Sequence, residues 1–331
     1  MKQEQSRRLV LISHPRTTSN LLLKVLNLDE QPDILQLPLD RKSTHLFLPG
    51  IKVRFENGIQ AKRVCDWSEE EISTTVQNYK EVLEELDIYA SRADKEGKIA
   101  FFREHSGALM DPVAQTRFYT GETSVRETWR IETPDRLSAY RSRLNDTLLP
   151  DDFMKDWLPT FIIRHPALAF PSFWRVLQAS NSTQEERIRD GEIVNTYRWT
   201  RSIYDCYSST FGMDGIILDA EDIIAKPEVL VSYCERVGLD PSKLKFSWNA
   251  KYTSEELQQH KNQDPRHHAF MATVDTSSGI LKGKAPSHVD IEAEIQKWQE
   301  EFDEITCAKL EKWVRAATTD YEYLRSKKLS A

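Results

Sequence analysis

Four short runs of apolar residues recur along the chain, and a polar stretch follows each of them. The runs occupy residues 9–12, 99–102, 161–163 and 215–218. Continuous apolar runs of this length, without alternation, are typical of strands that are buried on both faces of a sheet. The pattern therefore predicts four central strands, with polar loops at 103–106 and 164–166.

Stretches with apolar residues at helical spacing separate these runs. One begins near Ser19, with Thr18 or Ser19 as the N-cap, and a longer one follows Ser68, where Glu71 completes a capping-box sequence. Another, at about 289–327, predicts a C-terminal helical region. Helices between buried strands favour right-handed crossovers and hence a parallel sheet. The predicted fold class is α/β, with three layers and a central parallel sheet flanked by helices.

The composition supports a single large domain. The chain has 331 residues, of which 39% are hydrophobic and 29% charged, so there is ample apolar material for one core. We expect one domain over residues 1–331, with an irregular, proline-containing insertion at about 30–66. The net charge of −7 argues against nucleic acid or an anionic membrane as the main partner, because both need a positive field. An anionic ligand would need a local basic site.

The cysteines and the N-terminal sequence indicate a reduced, soluble protein. The cysteines show no paired spacing that suggests a zinc site or a disulfide framework: Cys65, Cys206, Cys234 and Cys307. The apolar run at 9–12 is too short for a signal sequence or a membrane span. The neighbouring His267 and His268 have no further ligand at a recognisable spacing. We therefore expect a cytoplasmic location and no metal.

The polar residues 13–20, Ser-His-Pro-Arg-Thr-Thr-Ser-Asn, lie between the first predicted strand and a helix. A helix N-terminus presents unpaired N–H groups and the positive end of a dipole, and Arg16 adds a charge. This combination predicts an anion site, although polar loops after buried strands also occur without any ligand. The Walker A pattern is absent, which argues against a nucleotide triphosphatase.

This segment resembles the 5′-phosphosulfate loop of the sulfotransferase superfamily. Arg16 falls on the basic position of that loop, and Thr17, Ser19 and Asn20 fall on its phosphate-binding hydroxyl positions. Thr18 replaces the usual glycine, and Asn20 is a departure in type. The resemblance implies a P-loop-like sulfotransferase fold with 3′-phosphoadenosine 5′-phosphosulfate (PAPS) as the donor and 3′-phosphoadenosine 5′-phosphate (PAP) as the product.

Two later segments are similar to the same family, in the same order. Arg164 closes the third predicted strand and Ser172 stands eight residues later, which is the spacing of the family's 3′-phosphate motif. An arginine and a hydroxyl suit a phosphate group, and we expect Pro171 in the first turn of the following helix. Residues 218–228 resemble the family's strand-to-helix segment and serve as a marker of the fold.

The resemblance also suggests catalytic roles. Arg16 would neutralise charge on the bridging oxygen during sulfuryl transfer. His105 falls near the histidine base of the cytosolic members, and Glu104 is the second candidate because other branches use a carboxylate. Lys282 and Lys284 are either further 3′-phosphate contacts or solvated loop residues.

The leading hypothesis is a PAPS-dependent sulfotransferase that acts on a hydroxyl group of a small-molecule metabolite. Thr18 and Asn20 keep open a second hypothesis, in which the fold serves a lyase, cyclase or isomerase reaction on another anionic ligand. A non-catalytic binding protein is the third. The sequence indicates neither the acceptor nor the oligomeric state.

Overall fold

The computed structural model describes most of the chain, and the statements below concern these residues: 8–37, 45–121, 138–253, 255–257, 259, 265–286 and 288–330. The strands are β1 Arg8–Ser13, β2 Ala100–His105, β3 Leu158–Ile163 and β4 Ile216–Asp219. They form a parallel sheet in the order β2-β1-β3-β4. All four strands arise from the four apolar runs, so the α/β prediction is confirmed.

The helices follow the strands in the expected alternation. In the first half of the chain they are α1 Ser19–Leu26, α2 Leu48–Glu56, α3 Glu69–Glu96, α4 Ser106–Leu109, α5 Pro112–Thr120 and α6 Asp151–Lys155. The later ones are α7 Pro166–Gln178, α8 Gln184–Val194, α9 Arg198–Phe211, α10 Ala220–Ala225, α11 Val229–Val237, α12 Pro265–Thr276, α13 Ile291–Glu301 and α14 Glu304–Ser326. Among the described residues, no helix is both long and apolar enough to cross a membrane.

The long helix α3 forms where the capping box predicts it. The Ser68 hydroxyl accepts a hydrogen bond from the Glu71 N–H at 3.2 Å, and the Glu71 carboxylate accepts one from the Ser68 N–H at 2.8 Å. These bonds satisfy two of the N–H groups that a helix start leaves without partners. At the other end, Gly97 adopts a φ of 66°, a left-handed conformation that glycine reaches without steric cost.

Three local predictions are wrong. The polar residues 103–105 belong to strand β2 and not to a loop, because their backbone pairs with β1 as far as Ser13 opposite His105. The expected irregular insertion at 30–66 contains helix α2, which has a proline in its first turn, where the missing N–H costs nothing. Pro171 lies inside α7 instead of in its first turn, since the helix already begins at Pro166.

The chain divides into two compact units, each defined by the contacts among its own residues. The first comprises Met1–Ser13, Asp33–Phe161 and Arg198–Ile216, and the second comprises His14–Pro32, Ile162–Tyr197 and Ile217–Ala331. In the first unit, Phe102 packs edge-on against Trp157 with ring centroids 4.7 Å apart. In the second, α14 packs against α7, with Trp313 beside Trp174. The single domain over 1–331 stays a prediction.

Candidate active site

The second unit contains a loop that links β1 to α1, here called the donor loop, residues 14–18. Arg16 and Thr18 adopt left-handed conformations, with φ of 68° and 63°. Such values are uncommon for non-glycine residues and often mark functional loops. Thr18 therefore holds a left-handed backbone conformation that glycine reaches without steric cost. Its hydroxyl is buried and has no hydrogen-bond partner among the described residues.

Two neighbouring side chains hold the donor loop in shape. The Thr17 hydroxyl donates to the His14 carbonyl oxygen at 2.7 Å. The His14 ring lies between two carbonyl oxygens, 2.6 Å from that of Pro15 and 2.8 Å from that of Val194. Both side chains are almost completely buried. The structure therefore uses the Thr17 hydroxyl within the loop.

The Arg16 side chain joins the donor loop to two distant segments. Its Nε donates to Ser172 Oγ on α7 at 2.9 Å, and its Nη1 donates to the Phe270 carbonyl oxygen on α12 at 2.9 Å. The guanidinium carbon also lies 5.7 Å from the centre of the Phe270 ring. Burial, with the charges of Arg164 and Arg175, lowers the pKa of Arg16 to about 10. Arg16 therefore stays charged at neutral pH.

Arg164 brings the second predicted motif to the same place. It follows β3, and its Nη1 donates to the Arg16 carbonyl oxygen at 3.4 Å. Its Nε donates to Glu221 Oε1 at 3.3 Å. The backbone of Arg164 is also fixed, because Tyr197 Oη accepts from its N–H at 2.9 Å and donates to its carbonyl oxygen at 2.6 Å. Arg16, Arg164 and Ser172 thus lie together in the second unit.

Glu221 also belongs to this site, although the sequence pattern predicted it only as part of a marker of the fold. Besides Arg164, it accepts from the His165 N–H at 3.3 Å. Burial raises the pKa of Glu221 to about 7, with a further contribution from Asp219. Parallel neighbours place their carboxyl ends side by side, and Glu221 comes two residues after β4 as Arg164 comes just after β3. This position just after a strand was the sequence signal that could have predicted Glu221 as a site residue.

The remaining predicted donor residues are placed less centrally. Ser19 is buried as the first residue of α1, and Asn20 Nδ2 lies 3.1 Å from Met271 Sδ on α12. Lys282 is exposed, whereas the side chain of Lys284 lies outside the described residues. So do the side chains of His267 and His268, and the described part of the chain contains no cluster of potential metal ligands.

The candidate base His105 lies in the first unit, at the last position of β2. Its Nδ1 is 2.9 Å from Ser13 Oγ, and its ring centroid is 4.5 Å from that of His45. Ser13 Oγ is also 3.4 Å from the Glu104 carbonyl oxygen, to which it can donate. If the Ser13 proton goes to that carbonyl, then His105 Nδ1 carries a proton and Nε2 is the basic nitrogen. Ser13 was not among the predicted site residues.

Glu104, the second candidate base, is completely buried. Its Oε2 accepts from the N–H groups of Phe47 at 2.7 Å and Leu48 at 3.1 Å, and its Oε1 accepts from the His105 N–H at 2.8 Å. His45 Nδ1 lies 3.1 Å from Oε1 as well. Burial raises the pKa of Glu104. These contacts favour a structural role, in which Glu104 ties the start of α2 to the end of β2.

No family model matches the chain. A sulfotransferase domain from the Synechococcus PCC 7002 olefin synthase covers 94% of this chain and 96% of its own at 14% identity, with a TM-score of 0.35, which is too low to support an argument.

Two curated relatives carry the assignment. The sulfotransferase ppzF of Metarhizium rileyi is 36% identical over 336 residues, covering 98% of this chain and 96% of the relative. Its counterpart in Metarhizium majus is 35% identical over 335 residues, covering 97% and 96%. Identity at this level over nearly the whole of both chains, together with the α/β fold, shows that this protein belongs to the sulfotransferase family.

Proposed function

We propose that this enzyme transfers a sulfuryl group from PAPS to a hydroxyl group of a small-molecule acceptor. The observation that carries the proposal is the meeting of two motifs that are far apart in the chain. Arg16 of the donor loop donates to Ser172 of the 3′-phosphate motif, and Arg164 donates to the Arg16 carbonyl oxygen. Two guanidinium groups in close proximity suit a ligand with several anionic groups.

The residues of the second unit fit such a donor. The start of α1 presents N–H groups without intrahelical partners, and the buried Thr18 hydroxyl next to it has no partner among the described residues. We assign the 5′-phosphosulfate to Arg16, Thr18, Ser19 and Asn20, together with the backbone N–H of Thr17.

The 3′-phosphate end of the donor is assigned to the second motif. We assign the 3′-phosphate to Arg164 and Ser172. A phosphate there would replace or join the bond that the Arg16 guanidinium donates to the neutral Ser172 hydroxyl, and a guanidinium binds an anionic phosphate more strongly than a neutral hydroxyl.

The first unit supplies the candidate base. In the proposed step, the acceptor oxygen bonds to sulfur while the bond between sulfur and the bridging oxygen of PAPS breaks, and its electron pair leaves with PAP. The acceptor hydroxyl proton goes to His105 Nε2, which is basic when Nδ1 donates to Ser13. Arg16 stabilises the charge that develops on the bridging oxygen.

The backbone conformation of Thr18 favours sulfuryl transfer over the hypothesis that the fold serves another reaction. A threonine in place of glycine raises the question of whether the loop keeps its shape, and its φ of 63° is one that glycine adopts freely. The loop conformation therefore does not depend on glycine. A lyase, cyclase, isomerase or non-catalytic binding role has no comparable observation in its favour.

The deciding experiment is calorimetric titration with PAP, with adenosine 5′-phosphate as the comparison. We expect micromolar binding that requires the 3′-phosphate. Transfer of labelled sulfate from PAPS to a panel of phenols and alcohols should follow, and His105→Ala should lose transfer while it keeps PAP affinity. Absence of PAP binding would refute the donor assignment, and PAP binding without transfer would indicate a binding protein.

A further inference from the structure

A buried arginine outside the donor site has no counter-ion in the described structure. Arg54 on α2, in the first unit, is only 3% exposed, and burial lowers the pKa of its guanidinium. Its Nη2 donates to Gln115 Oε1 at 3.2 Å. Among the described residues, neither Nε nor Nη1 has a hydrogen-bond partner. These two nitrogens carry most of the N–H donors of the group.

The charged neighbour of Arg54 is already engaged elsewhere. Asp111 contributes to the electrostatic environment of Arg54, but Asp111 Oδ2 pairs with Arg141 Nη1 at 2.9 Å, and Oδ1 accepts from the Val113 N–H at 2.8 Å. The charge of Asp111 is thus balanced by Arg141. The guanidinium of Arg54 keeps a positive charge that is buried and unmatched by the described residues.

The other groups around Arg54 are neutral. The Trp67 ring centre lies 5.0 Å from the guanidinium carbon. The hydroxyl of Tyr79 forms a side-chain hydrogen bond with the guanidinium and donates its own proton to the Ala108 carbonyl oxygen. A buried charge without a partner is costly, and proteins rarely keep one without a function.

A buried acceptor without a partner lies beside these donors. Gln115 Nε2 donates to the Gly107 carbonyl oxygen at 3.1 Å, which fixes the orientation of the Gln115 amide. Gln115 Oε1 therefore accepts, both from Arg54 and from Gln60 Nε2 at 2.7 Å. This leaves Gln60 Oε1, which is buried, without a partner among the described residues. The cluster thus contains unused guanidinium donors and an unused amide acceptor on two side chains that share Gln115 Oε1.

We propose that Arg54 and Gln60 bind the sulfuryl acceptor through a carboxylate and an N–H or O–H donor next to it. A carboxylate matches the single charge and the planar fork of one guanidinium, and Gln60 Oε1 accepts from the neighbouring donor. The cluster is linked to the candidate base, because Gln115 and Tyr79 bind the carbonyls of Gly107 and Ala108, shortly after His105 in the chain. The assignment to the acceptor rests on the proposed sulfotransferase function.

A matched pair of probes tests this site without sulfuryl transfer. N-acetyl-L-tyrosine has a phenol hydroxyl and a carboxylate next to an N–H group, and its methyl ester replaces the charged carboxylate by a neutral ester of similar shape. In thermal unfolding at millimolar probe and without PAPS, the acid should stabilise the protein and the ester should not. Equal shifts from acid and ester, or no shift from either, would overturn the proposal. Because PAPS is omitted, the result stands even if the donor assignment fails.

The unfolding temperatures of variants at Arg54 and Gln60 distinguish a ligand-binding arginine from a structural one. Arg54→Met removes a buried, unmatched charge, so without ligand it should unfold at a higher temperature than the wild type. It should also lose the response to the acid. Gln60→Glu introduces an internal carboxylate and removes the amide that donates to Gln115 Oε1, so it should abolish the difference between acid and ester. A lower unfolding temperature for Arg54→Met without ligand would show that the Arg54 cluster is structural.

A control and a kinetic measurement complete the test. Arg63→Met removes an exposed arginine that pairs with Asp66 and should leave the response to the acid unchanged. With PAPS as donor, Arg54→Met should lower kcat/KM for the acid by about 10- to 150-fold, the loss expected for a charged hydrogen bond. The value for the ester should stay within about twofold of the wild type. Equal losses for both substrates would contradict the assignment.

Discussion

Replacement of Arg164 by alanine gives the sharpest test of the donor site. In the structure, its guanidinium bridges the Arg16 carbonyl oxygen and the Glu221 carboxylate, 3.4 and 3.3 Å away. A charged hydrogen bond contributes about 1.5–3 kcal/mol, which corresponds to roughly 10- to 150-fold in affinity. We therefore expect Arg164→Ala to weaken PAP binding by that factor. Adenosine 5′-phosphate, which lacks the 3′-phosphate, should bind as it does to the wild type.

The removal of Arg164 also leaves Glu221 without its charged partner, and this effect must be separated from a direct contact. The double variant Arg164→Ala/Glu221→Gln removes the unpaired carboxyl group. If Arg164 binds the 3′-phosphate, the double variant should still bind PAP about as weakly as the single variant. Recovery of wild-type affinity in the double variant would show that the loss came from Glu221.

Calorimetric titration with both nucleotides provides the assay. Arg236→Ala is the control, because Arg236 is an exposed arginine on α11 in the same unit, and its affinities should match the wild type. An equal loss of affinity for PAP and adenosine 5′-phosphate would refute a 3′-phosphate contact, since it would indicate a general distortion of the donor loop.

Three further predictions follow from particular contacts. Ser13→Ala should slow transfer and shift the acidic limb of the pH–rate profile while PAP affinity is unchanged, and Ser13→Thr should restore the wild-type profile. The ¹⁵N shifts of His105 should report loss of the Nδ1-protonated tautomer, and identical spectra would contradict the role of Ser13. Thr18→Gly should raise the free energy of unfolding by about 1 kcal/mol, because it relieves a left-handed threonine, and a lower denaturation midpoint would speak against this. The raised pKa of Glu221, about 7, means that the folded state binds its proton more tightly than the unfolded state. Its contribution to stability is full below the ordinary glutamate pKa and is lost as the pH rises through about 7, by roughly 1 to 3 kcal/mol. Urea denaturation at about pH 5 and pH 8 should show a smaller difference for Glu221→Gln than for the wild type, and equal differences would contradict the assignment.

The sequence alone determined the features that depend on local pattern. A strand buried on both faces has to be continuously apolar, so the runs at 9–12 and 161–163 were enough to predict β1 and β3. A capping box satisfies N–H groups within one turn of the helix, so Ser68 and Glu71 fixed the start of α3. The resemblance of Arg164 and Ser172 to the sulfotransferase 3′-phosphate motif likewise needed only the sequence, because it depends on residue types at a fixed spacing.

Tertiary structure decided everything that depends on partners distant in the chain. Pairing with β1 extended β2 through polar residues to His105, since hydrogen bonds to a neighbouring strand outweigh side-chain polarity. The buried Arg54 had no local signal at all, because an arginine in a helix is normally exposed. Its burial comes from the packing of α2 near Trp67 and Gln115. Residue identity sets what a side chain can bind, but only the folded chain sets whether a partner is present.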